Sequence, residues 1–326
     1  MRSTQPVIVI VSPGLADANN GNWHTAWRWQ AMLAPLYDCK ILSQWRGEPA
    51  DILIALHARR SADSVARFAA AHPARPLVLV LTGTDVYRDI RFDLTAVQSL
   101  QLASHLVVLQ EQALLELSLA QRRKCRLILP SALRRVLCRK AAKTFDLVAL
   151  GHLRAEKDPL TLMRAVRQLP ASSKIRLLQI GAALDAGLAV VARQTMAQCP
   201  RYHWLGGLAH PAARRWLARS QGLVHASLIE GGATVIAEAL QSAVPVIASK
   251  IEGNIGMLGL DYAGYFSAGD ATGLAAQMLR FESDESWRQL LQQQAANRAV
   301  LFDPSHEMQS IRALINDLLE TTASLL

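Results

Sequence analysis

The chain has 326 residues, long for one hydrophobic core and suited to two domains. With 51% hydrophobic and 19% charged residues it folds rather than staying disordered. Its net charge of +9 lies wholly in residues 117–145, which hold nine Lys and Arg and no Asp or Glu. The remainder balances at 26 basic against 26 acidic residues, which argues against a nucleic-acid-binding surface over the whole molecule.

The first apolar run, residues 7–11, is too short for a signal-peptide core or a membrane span. No later uncharged apolar run approaches about 18 residues, so no integral membrane segment and a cytoplasmic location are expected. Short β-branched runs predict strands at 7–11, 39–42, 52–56, 77–81, 106–109 and 126–129. Helical periodicity lies between them at 24–36, 61–71, 94–103 and 111–120. The alternation restarts with strands at 147–150, 176–180, 202–205, 223–225, 244–248 and 264–266, and helices at 159–169, 211–220, 233–242 and 272–280. Two last helices, 285–301 and 305–319, are broken at Asp303-Pro304.

This is an α/β pattern of two doubly wound, Rossmann-like domains, residues 1–130 and 146–303, with functional loops facing across a cleft. Residues 131–145 form a basic connection, and a C-terminal helix at 304–326 is expected to pack back on the first domain. Within the connection Leu133, Val136, Leu137 and Ala141 read as the apolar stripe of a helix flanked by Arg134, Arg135, Arg139, Lys140 and Lys143. The cysteines Cys39, Cys125, Cys138 and Cys199 show no C-x-x-C pair and no zinc-ligand spacing. They read as reduced, mostly buried thiols, with no metal expected.

In doubly wound sheets the loops at the carboxyl ends of strands carry the chemistry. After the first strand, Gly21, Asn22, Thr25 and Arg28 open a helix whose start favours anions; of Trp27 and Trp29, at least one is read as core. His57, Arg59 and Arg60 end the third strand, and Thr82, Gly83, Thr84, Asp85 and Arg88 follow the fourth. Arg28, His57, Arg59, Arg60 and Arg88 gathered together would suit a small anionic acceptor. No catalytic His–Asp pair is evident.

In the second half, Arg154 and Lys157 follow the first strand, where a guanidinium fork and a point charge suit a diphosphate. The segment Glu230-Gly231-Gly232-Ala233-Thr234 turns into a helix that carries Glu238. Its glycines admit a ligand close to the backbone, and the two carboxylates can accept hydrogen bonds from vicinal diols. No Gly-x-Gly-x-x-Gly follows a strand, which speaks against a nicotinamide dehydrogenase. A non-enzymatic binder of anionic polymer or membrane, acting through residues 117–145, is the alternative of another class, although no nucleic-acid motif accompanies that charge.

The Glu230-x7-Glu238 element and the Gly151-His152-Leu153-Arg154-Ala155-Glu156-Lys157 stretch resemble the retaining GT-B glycosyltransferases of the family 4 type, over essentially the whole chain. The resemblance implies that Glu230 and the following turn (Gly231, Gly232, Ala233, Thr234) hold a donor sugar, Glu238 the ribose, and Arg154 and Lys157 the diphosphate, without metal or cofactor. This chain departs from the family in having His152 where an Arg usually follows the glycine, and Gly231-Gly232-Ala233 where Gly-Phe-Gly is usual.

Residues 21–29, 81–89 and 151–154 are similar to the selenosugar synthases of bacterial selenoneine biosynthesis. That narrower resemblance implies a C–Se bond formed between selenophosphate and the anomeric carbon of a UDP-N-acetylhexosamine, releasing UDP and phosphate. Arg154, Lys157, Glu230 and Thr82 would then be catalytic. Gly21, Asn22, Thr25, Arg28, His57, Arg59, Arg60, Gly83, Thr84, Asp85 and Arg88 would bind the acceptor. A family 4 type enzyme with a sugar, lipid or thiol acceptor is the alternative of the same fold.

Overall fold

The computed structural model describes residues 5–18, 20–135, 140–141 and 143–323. The chain divides into two compact units. One runs to Pro130 and takes in the chain from Pro304, and the other is Ser131–Asp303.

The first unit holds a parallel sheet of β1 (Val7–Val11), β2 (Asp38–Leu42), β3 (Ile52–Leu56), β4 (Leu77–Leu81), β5 (His105–Val108) and β6 (Cys125–Leu127), in the order β2-β1-β3-β4-β5-β6. Every residue of β3 and β4 is buried, because helices cover both faces of a parallel sheet, and their sequences are accordingly unbroken apolar runs. The chain leaves β1 for β2 and returns on the other side of β1 as β3. The crevice for a ligand therefore opens at the carboxyl ends of β1 and β3.

The second unit repeats the plan with β7 (Phe145–Leu150), β8 (Ile175–Ile180), β9 (Tyr202–Trp204), β10 (Gly222–His225), β11 (Val246–Ser249) and β12 (Tyr265–Phe266). They are ordered β12-β11-β10-β7-β8-β9 and all are parallel. Here the reversal falls between β7 and β10. Two six-stranded doubly wound units of this kind constitute the GT-B fold.

The final helix, Pro304–Ala323, buries Ile311, Leu314, Ile315 and Leu318 in the first unit's core beside Trp29 and Leu33 of the helix Gly21–Leu33. Trp29 is wholly buried, whereas Trp27 is 54% exposed.

Three elements of five or more residues were not anticipated. Ala186–Gln198 is a helix capped by Asp185, but its exposed Val190 and Met196 blur the apolar stripe. Glu252–Leu258 is a helix despite Gly253 and Gly256. Asp85–Asp89 forms a π-helical turn, a form that recurs at functional sites. The helix expected at 111–120 is instead a 3-10 turn, Glu111–Glu116, and a short helix, Leu119–Arg123. The capping box of Ser118 and Gln121 starts the second piece.

The expected helix in the connection is corrected in its described part. Ser131–Arg135 is not helical and Leu133 is 73% exposed rather than docked. Val136, Leu137, Cys138 and Arg139 lie outside the described residues. Cys39, Cys125 and Cys199 are free thiols, and burial pushes those of Cys39 and Cys125 up to about 12. No helix among the described residues is long and apolar enough to cross a membrane.

Candidate functional site

In the second unit the loops after β7 and β10 meet where the strand order reverses. The Leu228 N–H donates to the Glu156 carbonyl at 2.8 Å, tying the two loops together. Gly151 leaves β7 at φ +156°, and the aliphatic stem of Lys157 lies where its side chain would be, 3.4 Å from an ideal Cβ. Lys157 thereby turns its Nζ onto Glu230, to which it donates.

Glu230 is 9% exposed, and His225 Nε2 lies 3.2 Å from its Oε1, at ion-pair distance but off the hydrogen-bonding axis. Burial by itself would raise the Glu230 pKa, but the Lys157 ammonium and the nearby imidazole outweigh it and hold the carboxyl well below its ordinary range. Burial pushes His225 the other way, down towards the neutral imidazole.

A small cavity of about 10 Å³ opens among Gly151, Lys157, Gln179, His225 and Ser227. His225 Nε2 and Ser227 Oγ are buried there without a hydrogen-bond partner among the described residues. Arg154 comes no closer to a carboxylate than 4.0 Å (Glu156), and its buried Nε has no hydrogen-bond partner. His152, at the position where the family carries Arg, accepts at Nδ1 from the Ala182 N–H at 3.1 Å and so secures the loop after β8.

Gly231 and Gly232 lead to Ala233, and the helix Thr234–Gln241 begins with no side chain capping it. Its first N–H groups and the positive end of its dipole suit an anionic group. Glu238, buried on that helix, accepts from His210 Nε2 at 2.5 Å and lies 3.6 Å from Arg214 Nη1.

In the first unit His57 follows β3 in a left-handed conformation, φ +74°, that a non-glycine residue adopts only when its surroundings enforce it. The enforcing contacts are visible. Asp85, fully buried, accepts from the N–H groups of Thr82 (2.9 Å), Gly83 (2.7 Å) and Ala58 (3.0 Å), locking the β3 and β4 loops together. The Arg60 N–H donates to His57 Nδ1 at 3.3 Å, so the neutral ring carries its hydrogen on Nε2 and donates it to Thr84 Oγ1 at 3.0 Å. The Thr84 hydroxyl proton is then free to donate to another acceptor. Burial, chiefly, lowers the His57 pKa; Asp85 and Asp89 work against this, and Arg60 and Arg59 with it.

Several sequence expectations change here. His57 does sit beside aspartates, 4.0 Å from Asp85 and 3.9 Å from Asp89, although no His–Asp pair was evident in the sequence. Arg59 and Arg88 both donate to Asp89, at 3.0 and 3.1 Å, so their charge is countered rather than presented to an anion. Arg28 makes a two-pronged bond to the buried Glu307, at 3.0 Å for each prong, and Trp29 Nε1 donates to the same carboxylate at 2.9 Å. Thr25 is buried, and Gly21 and Asn22 lie in the first turn of the helix that Asn20 caps. His210, His225 and Glu307 carry no sequence signal of their own, whereas Asp89 ends the 81–89 stretch already singled out in the sequence. Among the described residues no group of three His, Cys, Asp or Glu is arranged to hold a metal ion.

Residues 144–284 match the family Glycosyl transferases group 1. The chain has the GT-B fold, and its second unit carries the match to that family.

Its fold is shared with HepE of Anabaena, solved with UDP-glucose, at TM-score 0.75 and 16% identity, covering 96% of this chain and 100% of that one. It is shared too with sucrose-phosphate synthase of Thermosynechococcus elongatus, at TM-score 0.77 and 15% identity, covering 97% and 100%. A glycosyltransferase of Rickettsia africae gives TM-score 0.73 and 12% identity, covering 97% and 99%. No curated protein sequence matches the chain significantly.

Proposed function

We propose that this protein is a glycosyltransferase that takes a UDP-N-acetylhexosamine as donor and selenophosphate as acceptor, forming a C–Se bond. The observation that carries the donor half is the constellation at the β7–β10 reversal. It joins the Lys157–Glu230 pair, the Arg154 guanidinium, an uncapped helix start and the buried Glu238. The UDP and UDP-glucose complexes of HepE support UDP as the nucleotide.

In this reading selenium attacks the anomeric carbon and the C–O bond to UDP breaks, its electron pair passing to the β-phosphate oxygen. Arg154, Lys157 and the N–H groups at Ala233 and Thr234 stabilise that charge. Glu230 and the adjacent turn orient the sugar, and Glu238 accepts from the ribose hydroxyls. A selenium nucleophile is already anionic, so the attack needs no general base. Water then cleaves the P–Se bond, its oxygen passing to phosphorus while the selenolate departs. For the acceptor, Arg60, whose guanidinium has no partner among the described residues, and the Thr84 hydroxyl are suited to an oxyanion. The selenium itself rests on the resemblance of residues 21–29, 81–89 and 151–154.

One observation favours a second reading. Asp89 counters Arg59 and Arg88, and His57 stands beside two aspartates, an arrangement suited to a neutral hydroxyl acceptor that must lose a proton. UDP release from UDP-N-acetylglucosamine, followed with selenophosphate, thiophosphate, sugars and thiols in turn, separates the two. Selenophosphate is expected to give the fastest release and a selenium-containing sugar by mass spectrometry. Release with a sugar acceptor alone assigns the second reading, and no release with any UDP-sugar overturns both.

A further inference from the structure

Glu238 is held in an unusual way for a carboxylate that is to receive a diol. Its side chain is 8% exposed, and the His210 and Arg214 side chains converge on one oxygen, Oε1. A carboxylate only accepts, so His210 Nε2 bears the hydrogen of the 2.5 Å bond. His210 and Arg214 are four residues apart on the helix His210–Arg219, so a single helix face delivers both.

Arg214 is itself fixed, donating to the Leu133 carbonyl at 2.9 Å and lying 3.5 Å from Ser242 Oγ. It is 4% exposed and acts as a buried anchor. The side chain of His210 is 42% exposed and is the half of the clamp that faces solvent. With Oε1 occupied, rotation of the carboxylate is arrested, and Oε2 has no partner among the described residues.

We propose that His210 is a positioning residue. By holding Oε1 it fixes Oε2 as the acceptor for a ribose hydroxyl and so sets the preference for ribonucleotide over deoxyribonucleotide donors. The inference rests on the reading that Glu238 receives the ribose diol.

Calorimetric titration of the full chain with UDP, 2′-deoxy-UDP and 3′-deoxy-UDP tests it. The unaltered protein should bind UDP about tenfold or more tightly than at least one deoxy analogue, as expected for a hydrogen bond to a charged group. His210→Ala should still bind UDP but shrink that ratio to about twofold. His210→Gln, whose amide can donate to Oε1, should restore most of it. A His210→Ala variant that keeps the full ratio, or a Gln variant no better than Ala, overturns the proposal while leaving the diol reading intact. Equal binding of all three nucleotides by the unaltered protein overturns the diol reading and this proposal with it.

Discussion

At the residue scale, several ionisable groups of the candidate sites are held largely out of water. Glu230 remains ionised because Lys157 and His225 flank it, and removing one partner strands a buried charge. Lys157→Met is expected to destabilise the protein by about 3–5 kcal/mol in urea denaturation, with Lys157→Met/Glu230→Gln recovering most of that loss. UDP-sugar binding should be lost in both.

His57 and His225 are both buried with lowered pKa, so the unfolded chain takes up protons on them before the folded one does. Their contribution to stability is therefore present above the ordinary histidine value of 6.5 and is lost as pH falls below it. Glu230 is also lowered, but its contribution is lost only below the ordinary glutamate value of 4.5. Thermal unfolding followed from pH 8 to 5 should show Tm decreasing below about 6.5. A His57→Asn/His225→Asn variant with an unchanged slope would refute this assignment.

At the element scale, the least expected helix bears directly on the proposed donor site. Glu252–Leu258 carries two glycines, which weaken a helix, yet Gly253 is required by packing. A Cβ there would lie 2.0 Å from the Glu230 carbonyl oxygen. The helix presses directly on the loop that holds Glu230, and propensity gives way to that contact. Gly253→Ala should cost about 1–3 kcal/mol by overpacking and displace Glu230. A weakened affinity for UDP-sugar at a modest loss of Tm is the expected result; full affinity would show that the loop yields without consequence. The π-helical turn Asp85–Asp89 was likewise illegible, since nothing in its composition separates it from a loop. Its form is enforced by the three N–H groups gathered on Asp85.

At the scale of the whole molecule, the basic surplus of residues 117–145 resolves partly into structural tasks. Lys124 Nζ donates to the carbonyls of Leu100 and Ala103 at the end of the helix Leu94–Leu102, a favourable place for a cation. Arg122 binds the carbonyls of Leu115 and Leu117, and Arg126 pairs with Asp317 of the final helix. That helix is tied to the helix Gly21–Leu33 by Glu307, 279 residues from Arg28, so the first unit is closed by segments far apart in the chain. Glu307→Ala leaves Arg28 and the Trp29 N–H unpaired in a nearly dry setting. It should cost about 3–5 kcal/mol and make the first unit the earlier to unfold, as read by hydrogen exchange of β1 and β3.

The twelve strands, the two doubly wound units and the Glu-x7-Glu element were legible because hydrophobic periodicity, glycine turns and the Pro304 break are local properties of the chain. The partner of each charge was not. Arg59 meets Asp89 across 30 residues, Lys157 meets Glu230 across 73, and His210 meets Glu238 across 28, each through the way strands and helices were brought together. Sequence by itself thus determined the fold class and the place of the Glu230-x7-Glu238 element. Only the tertiary structure decided which cations are free to meet a ligand, because a charge acts through distance and burial, and both are set by packing.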